Sequence, residues 1–479
     1  MTSSYKHIIP FTLLLISLFG CIRTARQSVN DVQKLLEKGQ LTEAINVTDQ
    51  ISKSIELSSV DRAKIDSILE ICQRIRIDYT LTEDQVLNKL VVYQPKIDTF
   101  SLSLLEKEHK LDMLSLDGKK IYFKNSVSNL FLLDSSFAKL KSKKDGFKVD
   151  AFPKFKLTHT SDIITKTNVS GKPVHPVKMI LDYTIRVKPN AVPPGDTIRC
   201  WMPFPRENHL RQLEVRLLQT EPGVHKISPS SDLQRSIYLE SISVANQPTV
   251  FHSSIEYTAL AQYFPLTPGM IKPYQKESLI FKEFTSEKPP QIIFSSKIKS
   301  LAENILQKET NPLVQVQKIY KWINDSVTWA SALEYSIMPD IPGFVIENRH
   351  GDCGMQTLLF MTLARSVGIP VKWQSGWMLH PGEVNLHDWC EVYYEGIGWV
   401  PLDQSFGLQN STDERIRDFY ISGIDAYRLI VNDDISSQFT PGKKYFRSEP
   451  YDFQRGELEW KGGNLYFDKW SWHMEVTYK

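Results

Sequence analysis

The sequence predicts a multidomain α+β chain: a helical N-terminal region, a β-sandwich, and a C-terminal domain in which helices precede a β-hairpin. Three observations predict it. The length of 479 residues exceeds what one hydrophobic core usually serves, and at about 150 residues per domain it points to about three. Apolar residues recur at three- and four-residue spacing between Ser28 and about Leu90, whereas in the segment around 180–260 they fall into short runs, the first of them strictly alternating. After Pro289-Pro290 the helical spacing returns and then gives way to a pair of short strand-like runs. Hydrophobic residues at 41%, charged residues at 23% and aromatics at 11% exclude both wholesale disorder and a multispanning membrane protein. A net charge of +2 gives no global field of the kind that draws a protein onto nucleic acid, so no nucleic-acid partner is expected.

In chain order, Lys6 and His7 form a short polar head before an apolar run from Ile8 to Phe19. The run is too short to span a bilayer and suits the core of an export signal. Leu18-Phe19-Gly20-Cys21 resembles a bacterial lipoprotein box, which makes residues 1–21 a signal peptide and Cys21 a lipidated anchor to the membrane. The alternative is a plain secretory signal with an incidental cysteine; either exports the chain. Ile22 to Arg26 carry no acidic cluster, so the expected location is the bacterial cell envelope, extracytoplasmic and facing the periplasm. The remaining cysteines, Cys72, Cys200, Cys353 and Cys390, are too scattered for a disulfide framework, and without a Cys-x-x-Cys pair no structural zinc site is expected.

Residues 28–150 are expected to form a mainly helical domain. Ile65, Ile68, Leu69, Cys72 and Ile75 make one amphipathic stripe, with Cys72 in the core. Gly39 reads as a helix stop, Thr42 as an N-cap, and Thr82 with Gln85 as a capping box. Gly39 to Ile45 faintly resembles the turn of a tetratricopeptide repeat, but no second copy follows at a fixed period. Leu116-Asp117-Gly118-Lys119 carries the Asp-Gly signal of a tight hairpin. Lys139, Lys141, Lys143 and Lys144 read as a solvated linker, with contact to phosphate or anionic lipid as the alternative.

Residues 175–285 are expected to form the sandwich. Met179, Leu181, Tyr183, Ile185 and Val187 alternate with mostly polar residues, the mark of a half-buried strand. Strand-like runs follow at Ile198 to Met202, Leu213 to Leu218, Ile237 to Leu239 and Phe251 to Tyr263. Residues 290–479 open with helices at Ile298 to Leu306 and Leu313 to Ile323 and carry the chemistry.

Three boxes stand there in order: His350-Gly351-Asp352-Cys353-Gly354, then Leu386 to Tyr393, then Gly398-Trp399-Val400-Pro401-Leu402-Asp403. Cys353 opens a helix that Gly368 and Pro370 end, and the unpaired N–H groups of a helix N-terminus favour a thiolate. His387 to Tyr393 and Trp399 to Leu402 read as a hairpin around Glu395 to Gly398. If His387 points into a cleft, alternation sends Trp389 and Glu391 with it and turns Asp388 and Cys390 away. Cys390 is then a bystander, Asp388 a surface carboxylate, and a metal site built from Cys353, His387 and Cys390 fails on strand parity.

Together the boxes resemble the Cys, His and Asp boxes of the transglutaminase-like superfamily, whose fold is papain-like. Trp373 to Gly376, Phe419 to Gly423 and Glu449 to Asp452 resemble the same family, and Trp201 to Pro205 resembles the sandwich that often precedes its core. The resemblance implies a catalytic triad in which His387 deprotonates Cys353 and Asp403 orients the imidazole. The thiolate then attacks an amide carbonyl to form a thioester. Trp329 stands where relatives place an aromatic oxyanion donor; a core tryptophan is the other reading. Trp377, His380 and His350 are candidates for the cleft wall, with an exposed loop role for His380. The expected activity is hydrolysis of a peptide, protein or cell-wall substrate as a peptidase or amidase. Cross-linking acyl transfer and a non-catalytic peptide-binding scaffold are the alternatives. The sequence carries no nucleotide loop or calcium-hand pattern, and no cofactor is expected.

Overall fold

The computed structural model describes residues 29–479 apart from 55–56, 147–149 and 169–170. The expected signal segment and Cys21 lie outside the described residues. The chain divides into two compact units, Met1–Val127 and Ser128–Lys479.

The first unit contains helices Leu41–Ser54, Ser59–Asp78, Glu83–Leu90 and Thr99–Lys107. Cys72 is fully buried on the second. The Thr82–Gln85 capping box is present in full, satisfying two backbone N–H groups at once. Asp117 and Gly118 both take positive φ and turn the hairpin between strands Met113–Leu116 and Lys119–Phe123, which pairs further with Tyr79–Thr82. Thr42 is not an N-cap: its helix starts one residue earlier, and its backbone N–H donates to the Asp117 carboxylate at 2.8 Å. A hairpin turn distant in sequence supplies that cap.

The second unit is built from three antiparallel sheets. Strands β1 (Val174–Val187), β2 (Thr197–Pro203), β3 (Gln212–Glu221), β4 (His225–Ile227), β5 (Ser236–Ile242) and β6 (Thr249–Tyr263) come from the expected sandwich segment. Met179, Leu181, Tyr183, Ile185 and Val187 are all buried, as their alternation requires. Strands β7 (Val371–His380), β8 (Glu383–Tyr394), β9 (Gly398–Leu402) and β10 (Arg428–Asn432) form a second group in the order β9-β8-β7-β10. The C-terminal strands β11 (Glu457–Trp460), β12 (Gly463–Leu465) and β13 (Trp470–Tyr478) return to the sandwich. Strand β11 pairs with β2, and β13 pairs with β1 over nine residue pairs. The sandwich is therefore completed by strands from beyond residue 450. One hydrophobic core joins its two sheets to Trp377, Leu379, Leu429 and Val431 of the other group.

The basic run does not link domains as irregular chain: it lies on helix Ser135–Asp145, capped by Asp134. Helices α1 (Phe152–Lys166), α2 (Ser296–Leu306), α3 (Pro312–Ser326), α4 (Ile341–Asn348) and α5 (Cys353–Ser366) complete the frame. Helix α5 is buried from Gly354 to Arg365, and this removes the solvent-facing stripe that a surface helix would show.

Candidate active site around Cys353

The first turn of α5 holds Cys353. Asp352 is its N-cap, accepting from the Met355 N–H at 3.1 Å and from the Tyr335 hydroxyl at 2.5 Å. Just before it, His350–Gly351 pairs in parallel with Thr328–Trp329, setting Trp329 opposite Gly351. Trp329 is 47% exposed, so it is no core residue, and it lines the same cleft as Cys353. That cleft encloses about 240 Å³. Among the described cysteines, Cys72, Cys200 and Cys390 are buried, and Cys353 alone is partly open.

Strand parity is as expected, but the face turned to the cleft is the opposite one. Asp388 lines the cleft and accepts from the Cys353 thiol, Sγ to Oδ2 at 3.4 Å. It is 2% exposed, so it is not a surface carboxylate, and Gln454 Nε2 donates to its other oxygen at 2.7 Å. Gly354 makes the approach possible: a Cβ there would lie 2.2 Å from the Tyr335 hydroxyl oxygen and 2.6 Å from Asp388 Oδ2. His387, the next residue along β8, points to the other face. Among the described residues no hydrogen bond links its ring to Sγ.

On that other face His387 and Asp403 are joined, Nε2 to Oδ2 at 2.7 Å. The imidazole packs edge-on to Phe406 and near Trp389. Arg428 approaches the same Asp403 oxygen at 2.9 Å and pairs with Asp425 at 2.7 Å, and Asp425 in turn meets His380 Nε2 at 2.9 Å. His380 is therefore a buried partner of a carboxylate and not an exposed loop residue. Trp377 lies in the core, donating to the Gln454 carbonyl at 3.0 Å, and His350 is buried edge-on to Phe344. Glu391 shares the His387 face, with Arg211 at 3.0 Å and Lys372 at 3.1 Å.

The electrostatics differ sharply between the faces. Burial pushes the Cys353 thiol well above its ordinary value, and the Asp388 and Asp352 carboxylates push it further. Against the ionisation expected from the helix N-terminus stand desolvation first and then the two nearby carboxylates. Burial, reinforced by Asp452 and Asp352, also raises Asp388 far above the carboxylate range. Burial pushes Asp352 up to about 6. On the opposite face burial opposes ionisation of Asp403, but the His387 ring and Arg428 outweigh it and hold the carboxyl below its ordinary range. Burial lowers the His387 pKa below the ordinary imidazole value despite Asp403.

Sequence reasoning missed Asp388, Tyr335, Gln454 and Arg428 as site partners. Strand alternation marks which residues of β8 share a face, but which face α5 docks against is set by the tertiary fold. The joint presence of Gly354 and Asp388 was the available signal.

Residues 299–404 match the model of the transglutaminase-like superfamily core. Over 149 residues it is 24% identical to the uncharacterized protein YebA of Bacillus subtilis (strain 168), covering 27% of this chain and 20% of YebA. The match therefore spans about a fifth of that relative's length. Among solved structures, a candidate cysteine protease from Cytophaga hutchinsonii is 16% identical, with 64% of this chain and 92% of that chain covered at a TM-score of 0.44. The periplasmic domain of TgpA from Pseudomonas aeruginosa is 14% identical, with 53% and 94% covered at a TM-score of 0.25.

Proposed function

We propose that this protein is a thiol enzyme of the transglutaminase-like class that opens amide bonds through Cys353, with hydrolysis as its outcome. The observation that carries the reading is that Cys353 heads a buried helix and lines a cleft, while the other described cysteines are closed off. Sulfur attacks the carbonyl carbon, the C–N bond breaks, the amine departs with a proton, and water resolves the thioester. The Cys353 N–H and the Trp329 indole are the proposed oxyanion donors. The proposed location is extracytoplasmic, with Cys21 as lipid anchor; this rests on the apolar run and its box. No helix among the described residues is long and apolar enough to cross a membrane.

Two observations bear on the base. The His387–Asp403 bond of 2.7 Å favours the triad that the resemblance implies. The thiol's own contact with Asp388 at 3.4 Å favours a carboxylate acceptor. Turnover of peptide amides in Cys353→Ala, His387→Ala and Asp388→Asn separates them. Loss in Cys353→Ala establishes the enzyme. Loss by about a hundredfold or more in His387→Ala, with a smaller change in Asp388→Asn, assigns the base to the imidazole; the reverse order assigns it to the carboxylate. A function unchanged by Cys353→Ala points instead to a peptide-binding scaffold, a reading favoured by the neutral resting thiol. Incorporation of a labelled primary amine without cleavage products would replace hydrolysis with acyl transfer.

A further inference from the structure

Among the described residues, both sheets of the sandwich end on strands with one side unpaired: β3 and β13 in one, β4 and β12 in the other. Such an edge is a template for another chain, and folded proteins blunt it with short length, bulges, proline or lysine. Three of these four are blunted. Strands β4 and β12 have three residues each, and β3 breaks register twice and holds Glu214 at positive φ. Strand β13 has none of these devices: its nine residues, Trp470 to Tyr478, keep unbroken register with β1 and include no proline or lysine. The ladder with β1 fixes which of its groups are left over. The Lys188 N–H donates to the Lys469 carbonyl and the Lys479 N–H to the Lys178 carbonyl, each at 2.9 Å, so the odd-numbered residues between bond to β1. The N–H and C=O groups of Trp470, Trp472, Met474, Val476 and Tyr478 therefore point away from β1. The side chains alternate as well: Trp472, Met474 and Val476 pack half-buried on the core, whereas Ser471, His473, Glu475 and Thr477 face solvent.

We infer that β13 is a docking edge for a second copy of this chain, pairing antiparallel with its own counterpart about a two-fold axis at Met474. In that register the strand complements itself. Met474 meets Met474, Trp472 meets Val476 and Trp470 meets Tyr478, all through the outward backbone groups. On the solvent face Ser471 meets Thr477 and His473 meets Glu475, at the non-hydrogen-bonded positions where side chains come closest. A shift of one residue turns the outward groups out of reach of each other, and a shift of two shortens the ladder and parts His473 from Glu475. The charge fit has a cause within the single copy. Glu475 stands directly across the ladder from Asp182, like charge against like, and Asp182 already meets His252 at 3.3 Å. Among the described residues the ring that Glu475 meets is His473 of its own strand, at 3.0 Å. The second copy brings each Glu475 another imidazole. The pairing is isologous and closes on itself, so it ends at a dimer with one continuous sheet. It is independent of the thiol chemistry proposed for Cys353.

The test is sedimentation equilibrium of the full chain, with site-resolved hydrogen exchange on the same samples. The wild type is expected to dimerise with a Kd of about 10 μM or tighter. The amides of Trp472, Met474 and Val476 should exchange at least about tenfold more slowly in the dimer than in the diluted monomer, and those of His473 and Glu475, already bonded to β1, should change less. Glu475→Lys sets an ammonium against His473 and should weaken the dimer at least about tenfold, while adding His473→Glu restores an opposite pair and should recover it. Because Glu475→Lys also relieves the repulsion from Asp182, its loss of dimer is not a loss of fold. Met474→Pro removes the central outward N–H without touching the bonds to β1 and should prevent pairing. A wild type that stays monomeric at about 100 μM overturns the proposal. So does a dimer indifferent to both Glu475→Lys and Met474→Pro, or one in which the amides of Trp472, Met474 and Val476 exchange as fast as in the monomer.

Discussion

The Cys353 thiol meets carboxylates from two directions, Asp388 across the cleft and Asp352 in its own helix cap, and both act against ionisation. Replacing Asp388 with asparagine keeps the shape and removes one of those charges. Alkylation of Cys353 at pH 8, followed by peptide mass spectrometry, should then run about tenfold faster in Asp388→Asn than in the wild type, the equivalent of a fall of about one pKa unit. An unchanged rate would show that the carboxylate does not control the thiol. Asp452 allows a second test, on stability. Its carboxyl is raised in the folded chain, so the folded state binds more protons than the unfolded one between the ordinary value of 3.8 and the raised one. Stability is therefore lost as pH rises through that window. Asp452→Asn removes this loss: its melting temperature should exceed that of the wild type at pH 8, and the difference should vanish as pH falls towards about 4. At this scale the sequence was informative about residue types and strand parity. The pairing of His387 with Asp403 was legible in their boxes, and His387, Trp389 and Glu391 do share a face. The docking side was not legible, because it depends on where α5 packs and on Gly354 admitting Asp388.

Elements with a strong local signal were readable, the strands to within about four residues at their starts: β1 from its alternation, α5 from the glycine-flanked cysteine and its Gly368 stop, and β8 with β9 from the hairpin turn. Strand β7 was less legible, since it is buried along almost its whole length and shows no alternation. Strands β11 and β13 went unread because their partners β2 and β1 lie far away in sequence. Within β7, Gly376 faces His387 across the ladder and also lies against β10. A Cβ at 376 would sit 1.9 Å from the Leu429 carbonyl oxygen, which is backbone and has no rotamer to change. Gly376→Ala should therefore cost about 2 kcal/mol or more and part β10 from the sheet, carrying Arg428 away from Asp403. Chemical denaturation measures the cost, and recovery of full stability by the variant would contradict the packing. At the head of α5, Asp352→Ala removes a cap whose loss usually costs about 1 kcal/mol. Because Asp352 also presses on the thiol, this variant should be less stable yet alkylate faster.

Across the second unit the sandwich and the segment that matches the transglutaminase-like core are interleaved. The sequence changes character after Pro289-Pro290, but the return of β11 and β13 to β2 and β1 places both expected domains in one compact unit. Removing residues 470–479 should therefore lower the stability of the thiol cleft together with that of the sandwich. A single shared transition in hydrogen exchange is expected, whereas an intact core beside a melted sandwich would refute the coupling. The nine-pair ladder between β1 and β13 also has a consequence for how the protein is made. Nearly three hundred residues separate its two strands. During synthesis β1 emerges early and waits with one edge unpaired until residues 470–478 have left the ribosome, long after Cys353, His387 and Asp403 are out. The nascent chain thus has a prolonged interval in which an exposed strand edge can capture the wrong partner, and its yield of native protein should depend on holdase chaperones more than its size alone would require.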